Sequence, residues 1–292
     1  MTRIGIIIIC LIVVLSTATA EGAFEDVELG ARALGMGSAF VSVADGAGAI
    51  FWNPAGIART HRRELSMSYL GLYDLVSYSS LCYTQNIPAG GIGLGIVSSS
   101  DVEGAYRETA LALSAAVEAY RDLSAGANVK YLSAAANTGD VRIGRSKGLS
   151  LDLGCQYRAL QDALSFGASF QNLLGNVWYN REAVGDISGR SYSERPYFSY
   201  RVGTAFDFGS LLPRVDKATL SAELSDGDIH IGAECVFWKI AAVRAGYRTG
   251  NALTRSVTVG LGLGLSAFSF DYAFVGSAVG SQTSQFSVSV KW

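Results

Sequence analysis

Histidine is nearly missing from this chain. His61 and His230 are the two present, and they stand far apart. No H-E-x-x-H or G-x-S-x-G pattern accompanies them, so the common templates for zinc hydrolases and serine hydrolases have no footing. Cysteine is limited to four residues, one of which, Cys10, falls within the first apolar run. The remaining Cys82, Cys155 and Cys235 are too few and too odd in number for a disulfide framework. Charge of one sign is also lacking: 23 basic residues meet 25 acidic ones, a formal net charge of −2. A nucleic-acid partner would need a concentrated basic face, so none is expected. Beyond residue 20 no apolar run is long enough to cross a bilayer as a helix. Proline is scarce, with 4 residues, whereas glycine (34), tyrosine (14) and phenylalanine (13) are plentiful. High hydrophobicity without membrane helices leaves a large soluble β-domain or a membrane β-barrel.

The first twenty residues read as a removable secretory signal. Arg3 gives a positive start, Ile4 to Leu15 an apolar run, and Ala18-Thr19-Ala20 a small-x-small cleavage site. An exported chain of this type is expected in the bacterial outer membrane.

From residue 64 onward the dominant period is two. In LSLDLGCQYR (149–158), Leu149, Leu151, Leu153, Cys155 and Tyr157 share one face and Ser150, Asp152, Gly154, Gln156 and Arg158 the other. DIHIGAECVF (228–237) and AFSFDYAF (267–274) alternate in the same way. About fourteen such strands are expected over 64–292, an all-β transmembrane antiparallel barrel. The longer connections, among them 134–147 and 172–196, alternate with shorter ones, as external loops alternate with periplasmic turns. An even strand count leaves both chain ends on the periplasmic side. A soluble sandwich would show the same alternation. Two features favour the barrel: aromatics at strand ends (Tyr197, Phe198, Trp238, Tyr247) and the ending FSVSVKW, with Phe286, Val288, Val290 and Trp292 on one face. That closing strand resembles the signal read by outer-membrane assembly machinery.

Such a barrel is too wide for wall side chains alone to fill. Residues 21–63 precede the first strand and are apolar and glycine-rich, so they are expected to fold into the lumen as a hatch. Their motif Gly30-Ala31-Arg32-Ala33-Leu34-Gly35-Met36-Gly37, then Ala44-Asp45, then Trp52-Asn53-Pro54-Ala55-Gly56, resembles the N-terminal signature of the PorV/PorQ family. That family is related to FadL-type channels for long-chain fatty acids, whose hatch also carries Asn-Pro-Ala. Gly46 stands where a second acid is usual, and Ile57 where leucine is usual. The resemblance implies a fourteen-stranded barrel with an N-terminal plug. It leaves open a channel for hydrophobic small molecules, an accessory or shuttle barrel of type IX secretion contacting secretion-system subunits or secreted proteins, and a permanently plugged structural barrel.

Candidate residues follow from this frame. Asn53-Pro54 forms a rigid corner, either a gate or a turn that seats the plug on the wall. The polar faces carry Lys130, Asp152, Arg158, Arg201, Asp207, Glu223, His230, Glu234, Arg244, Arg248 and Asp271. These fit a polar conduit or salt bridges tying wall to plug, with His230 held by Glu234 or a neighbouring strand. They are too polar for a continuous greasy tunnel, so a hydrophobic ligand would bind locally, near the hatch or the external loops. GGIGLG (90–95) and GLGLGL (260–265) sit in strands with no following helix, so no dinucleotide site is expected, and their glycines are expected to leave room for the plug. The segment 172–196, with Trp178, Tyr179, Arg181, Arg190, Tyr192 and Arg195, is the best surface for a partner or an arriving ligand. No catalytic residue, cofactor or metal is expected.

Overall fold

The computed structural model describes residues 28–72, 75–139, 141–183, 188–251, 254–277 and 282–292. The expected secretory signal lies outside these, as do residues 21–27 of the expected hatch. Period-two alternation becomes β1 (Glu64–Leu72), β2 (Val76–Ile87), β3 (Gly90–Asp101), β4 (Tyr106–Tyr120), β5 (Leu123–Thr138), β6 (Val141–Ala159), β7 (Leu164–Arg181) and β8 (Arg190–Glu194). Then follow β9 (Ser199–Asp207), β10 (Lys217–Ser225), β11 (Asp228–Phe237), β12 (Ala241–Arg248), β13 (Ser256–Leu265), β14 (Phe268–Ser277) and β15 (Gln282–Lys291).

All but β8 form one closed antiparallel ring of fourteen staves. Each pairs with its neighbour in sequence, β7 skips to β9, and β15 returns to β1 with Glu64 opposite Lys291 and Leu72 opposite Thr283. Just beyond that register, Arg63 and Trp292 exchange backbone bonds of 3.1 and 3.0 Å. Closure leaves no sheet edge, which is what a sheet in hydrocarbon requires.

The two faces are inverted relative to a soluble protein. On β4, Leu113 is 61% exposed while Ser114 beside it is 6% exposed; on β6, Leu149 is exposed and Asp152 buried. The apolar face therefore points outward on stave after stave, as contact with lipid demands. Exposed Tyr120, Tyr157, Trp238 and Trp292 ring the end holding Glu64 and Lys291, called the near end below. Tyr69, Tyr131, Trp178 and Tyr247 lie towards the far end. The barrel is an outer-membrane barrel, and the sandwich is excluded by the closed register.

Two expected loops are wall instead. Residues 134–147 continue β5 and β6, and 172–196 contains the upper half of β7 and all of β8, which pairs with Val177–Arg181. Those stretches lack the apolar alternation that lipid contact imposes, but backbone pairing above a bilayer needs no such pattern. With them goes most of the expected asymmetry of loop lengths, which survives chiefly in the long β7–β9 connection. β6 has 19 residues against 8 in β12, and about 9–11 suffice to span. The wall from β4 to β7 thus stands tall at the far end.

One consequence is measurable. Leu261→Arg, mid-strand on the outward face of β13, should cost about 2–4 kcal/mol in equilibrium unfolding from lipid vesicles. An unchanged stability would invalidate the assignment of that face to lipid.

Candidate functional site

Inside the ring runs the segment before β1. Helical turns at Ala31–Gly35 and Ala49–Trp52 and a 3-10 helix at Pro54–Arg59 are joined by irregular backbone. Their apolar residues form a core of their own: Met36, Phe40, Ile50, Trp52 and Ile57 are buried together with Ala112 and Ala116 of β4. Asn53 organises the second half. It is extended (φ −155°, ψ 102°), as a residue before proline must be. Its Nδ2 donates to the carbonyls of Val41 (2.9 Å) and Cys155 (3.0 Å), and its Oδ1 accepts from Ala55 N–H (3.2 Å). The corner is therefore bonded to β6 of the wall, the geometry of a seating turn. Trp52 closes the first half by donating from Nε1 to Leu29 O at 2.6 Å.

Small wall residues make this approach possible. A Cβ on Gly154 would stand 2.1 Å from Asn53 Oδ1, and one on Gly246 2.1 Å from Gly37 N. Gly91, Gly93 and Gly95 of the GGIGLG run face Ile57, Ile50 and Phe51. In GLGLGL the expectation holds for Gly260, which meets Gly35. Gly262 instead makes room for Arg244 and Asp271, and Gly264 faces turn carbonyls.

Irregular backbone leaves carbonyls and amides without partners, and in a buried place each needs one. The wall supplies them. Asn128 donates to Ile50 O (2.7 Å), Gln156 to Ala44 O (2.9 Å) and Gln171 to Phe51 O (2.7 Å). Glu223 accepts from the N–H groups of Phe40 and Val41, both at 2.7 Å. The alternation places Gln156 on the polar face of its strand; Asn128 and Gln171, not singled out from the sequence, stand on the polar faces of theirs, where an unpaired backbone finds donors.

Five of the expected charged residues join in one relay. Arg32 Nη1 bonds Asp45 (2.7 Å); its Nε (2.8 Å) and Nη2 (3.0 Å) bond Glu234; Arg244 bonds the same Glu234 (2.8 Å) and then Asp271 (2.7 Å). Lys217, not foreseen, adds a third cation 3.8 Å from Glu234. Loss of water inside the ring pushes the Asp45 carboxyl up, but the Arg32 guanidinium and then Lys217 outweigh this and hold it below the usual carboxylate value. Lys130 and Asp152 pair at 2.8 Å on β5 and β6. Arg201 stacks on the Trp52 ring at 4.3 Å. One expectation is corrected. His230 does not meet Glu234, which the arginines occupy; its Nδ1 lies 4.0 Å from Glu28, itself bound to Arg248 and Ser38. Arg158 lies at the near end, 3.9 Å from exposed Asp162, where it lines an inner space with Ser42, Val43 and Asp45 of the segment. Among the described residues no cluster of His, Cys, Asp or Glu is placed to hold a metal.

At the far end, within the tall wall, lies a cavity of about 450 Å³ lined chiefly by apolar atoms. Tyr179 and Tyr192, opposite each other on β7 and β8, stack side by side on its wall, centroids 5.0 Å apart and planes 9° from parallel, and Tyr106 and Ile143 also line it. Of the residues expected on 172–196, Tyr179, Arg181 and Tyr192 line this space, whereas Trp178 faces outward and Arg190 and Arg195 are exposed. Below the cavity Ala110, Leu132, Ala134 and Val177 make an apolar strip, and Ala112 and Ala116 continue it into the core around Trp52. Beside the strip the strand ladder is interrupted: β7 pairs with β9 only through Gln171 and with β8 only from Val177, and irregular backbone at 195–198 lies against 172–176 instead, with Asn172 donating to Tyr197 O (2.7 Å) and buried Pro196 packed at Gly175.

Removing the shared anion should loosen the segment without opening the ring, because Arg32 and Arg244 each keep one carboxylate, Asp45 and Asp271, but lose the group that ties segment to wall and face each other's charge in a buried site. In Glu234→Gln, trypsin should cut after Arg32 at least ten times faster, read by mass spectrometry, while the barrel keeps its heat-modifiable gel mobility. Equal protection in both proteins would show that the relay does not anchor the segment.

No protein-family model matches the chain, and no curated protein matches it in sequence. Solved structures do match in fold. The toluene transporter TbuX of Ralstonia pickettii is 14% identical, with a TM-score of 0.65 over 90% of this chain and 98% of that one. The monoaromatic hydrocarbon channel CymD, also 14% identical, gives 0.63 over 92% and 99%. A FadL homologue of Pseudomonas aeruginosa gives 0.59 at 14% identity over 91% and 98%. The chain therefore has the fold of FadL-type outer-membrane barrels along nearly its whole length.

Proposed function

We propose that this barrel admits small hydrophobic molecules through the outer membrane, with residues 21–63 acting as its hatch. The observation that carries the reading is the tyrosine-lined cavity at the far end and the one-sided apolar strip leading from it to the Trp52 core. An apolar solute gains by leaving water at such a site, roughly 25 cal/mol for each Å² it buries. Much of the inner wall carries ion pairs and amides, so the solute is held locally, as the sequence suggested. Fold neighbours that carry toluene or monoaromatic hydrocarbons support the solute class. The hatch, bound to the wall by ion pairs and side-chain hydrogen bonds, bars free passage. The interrupted ladder at 172–176, covered by irregular backbone at 195–198 in place of a strand, is where the wall would part sideways above the hatch. No step of this reading needs a cofactor or a catalytic group.

The test is uptake of radiolabelled toluene and of oleate by cells carrying the protein in their outer membrane. The double variant Tyr179→Ala/Tyr192→Ala should lower uptake of the preferred solute about five- to tenfold at equal barrel abundance. Deleting residues 30–56 should raise single-channel conductance in planar bilayers. Uptake no greater than in cells lacking the barrel would refute the transport reading, and unchanged conductance would refute the hatch. The N-terminal motif alone supports the second reading, a PorV/PorQ-type accessory of type IX secretion. Stable co-purification with large secretion subunits or their cargo would decide for it.

A further inference from the structure

The tall wall carries an outer surface unlike the rest of the barrel. On β6 the outward residues from Leu149 to Tyr157 (Leu149, Leu151, Leu153, Cys155, Tyr157) form its share of the lipid-facing belt. Eight residue steps cover ~26 Å along a strand, or about 20 Å of height at the tilt of such barrels. The next two outward positions towards the far end are Lys147 and Arg145, both exposed. Each step of two residues climbs only ~5 Å, so both cations sit at headgroup level. Trp178, outward and half-exposed, is paired with Lys147 and marks the same boundary.

Register shows what lies beside them. One row across the outer surface reads Arg107, Ala135, Arg145, Asn180; the row beneath it reads Thr109, Ser133, Lys147, Trp178; beneath that come Leu111, Tyr131, Leu149 and Asn176. Arg107 and Arg145 are thus two staves apart, ~10 Å, with small Ala135 and Ser133 on the stave between them. The result is a patch of small residues bounded by three cations and standing directly on the apolar belt; Ala135 and Arg145 also border the far-end cavity. Above that belt, the outward faces of β3 to β6 carry no carboxylate among the described residues. Arg107, Arg145 and Lys147 form no ion pair among them either, in contrast to the arginines inside the ring, which are paired several times over. The other half of the barrel lacks this arrangement: on β10, β11 and β13 the outward residues stay apolar up to the far-end turn, at Leu224, Ile229 and Val257.

We propose that this surface binds a phosphorylated lipid of the outer leaflet, its phosphates held by Arg107, Arg145 and Lys147 and its acyl chains lying on Leu111, Tyr131 and Leu149. Charge complementarity and continuity with the lipid-facing belt select a lipid over a soluble anion, since a free phosphate would gain nothing from the apolar rows. Guanidinium groups on two staves suit a headgroup carrying more than one phosphate. The lipid would act as mortar on the stretch of wall that rises beside the cavity. This inference is independent of what the barrel transports.

The full-length barrel, purified in a non-ionic detergent, is titrated with bisphosphorylated lipid A and with its fully dephosphorylated form, and binding is read by native mass spectrometry. Cations near a membrane surface contribute about fivefold each, so Arg107→Ala/Arg145→Ala/Lys147→Ala should weaken binding of the phosphorylated lipid on the order of 100-fold. The dephosphorylated lipid should bind weakly to both proteins. Heat-modifiable mobility verifies that the triple variant is folded; should it fail, the single charge reversal Lys147→Glu gives the same comparison with an effect of at least fivefold. Equal binding by wild type and variant, or equal binding of the two lipids, would overturn the proposal. Displacement of the lipid by millimolar inorganic phosphate would overturn it too, by showing a site for free anions.

Discussion

A backbone amide in hydrocarbon has no water to turn to, and much of this molecule's arrangement follows from that. Every stave must bond a neighbour on both sides, so the sheet closes on itself and β15 finds β1. Closure gives each strand one face to lipid and one to the inside, and the inside of fourteen staves is too wide for wall side chains to fill. Chain brought in from the N-terminus fills it. That segment is irregular, so its own amides and carbonyls need partners, and the inward faces of the wall are polar to supply them. The polarity inside is the counterpart of an irregular filling more than a sign of a watery pore.

The same logic separates two populations of charge. Inside the ring, Glu234 is shared by Arg32 and Arg244, and Asp45 and Asp271 complete the relay. A charge removed from water is tolerated when paired and hydrogen-bonded, and becomes a liability when a partner is lost. The relay therefore fixes where the segment sits more than it adds to the strength of the ring. Outside, Arg107, Arg145 and Lys147 face the headgroup zone, where a cation keeps some hydration and needs no carboxylate.

Much of this was legible in the sequence, for identifiable reasons. Lipid contact imposes a strict alternation on β6, β11 and β14, so the staves and their faces could be read directly, as could the likeness of Asn53-Pro54 to a fixed corner. The upper parts of β5, β6 and β7 could not be read: above the bilayer no solvent imposes a pattern, and AAANT and VRIGRSK look like loop. Glu234, Arg244 and Asp271 of the relay were visible as polar-face residues and Arg32 and Asp45 as members of the N-terminal motif, but their pairing was not, since period two gives the face of a residue and not its neighbour across the lumen. His230 shows the limit. Glu234 is four residues along the same strand, whereas its actual companion, Glu28, comes from the far side of the sequence. Asn128 and Gln171 were passed over because neutral amides attract less notice than charges, although an irregular filling needs them more.

The bond pair between Arg63 and Trp292 bears on the order of assembly. Arg63 directly precedes the first stave and Trp292 directly follows the last, so this seam cannot form until β15 has been made and exported. Arg63 also directly follows the segment that occupies the lumen. Threading a bulky, many-times-anchored stretch through a completed cylinder would mean breaking those anchors in turn. It is far simpler for the staves to curl around a leader already lying among them, with the β1–β15 seam, extended by Trp292 against Arg63, as the closing act.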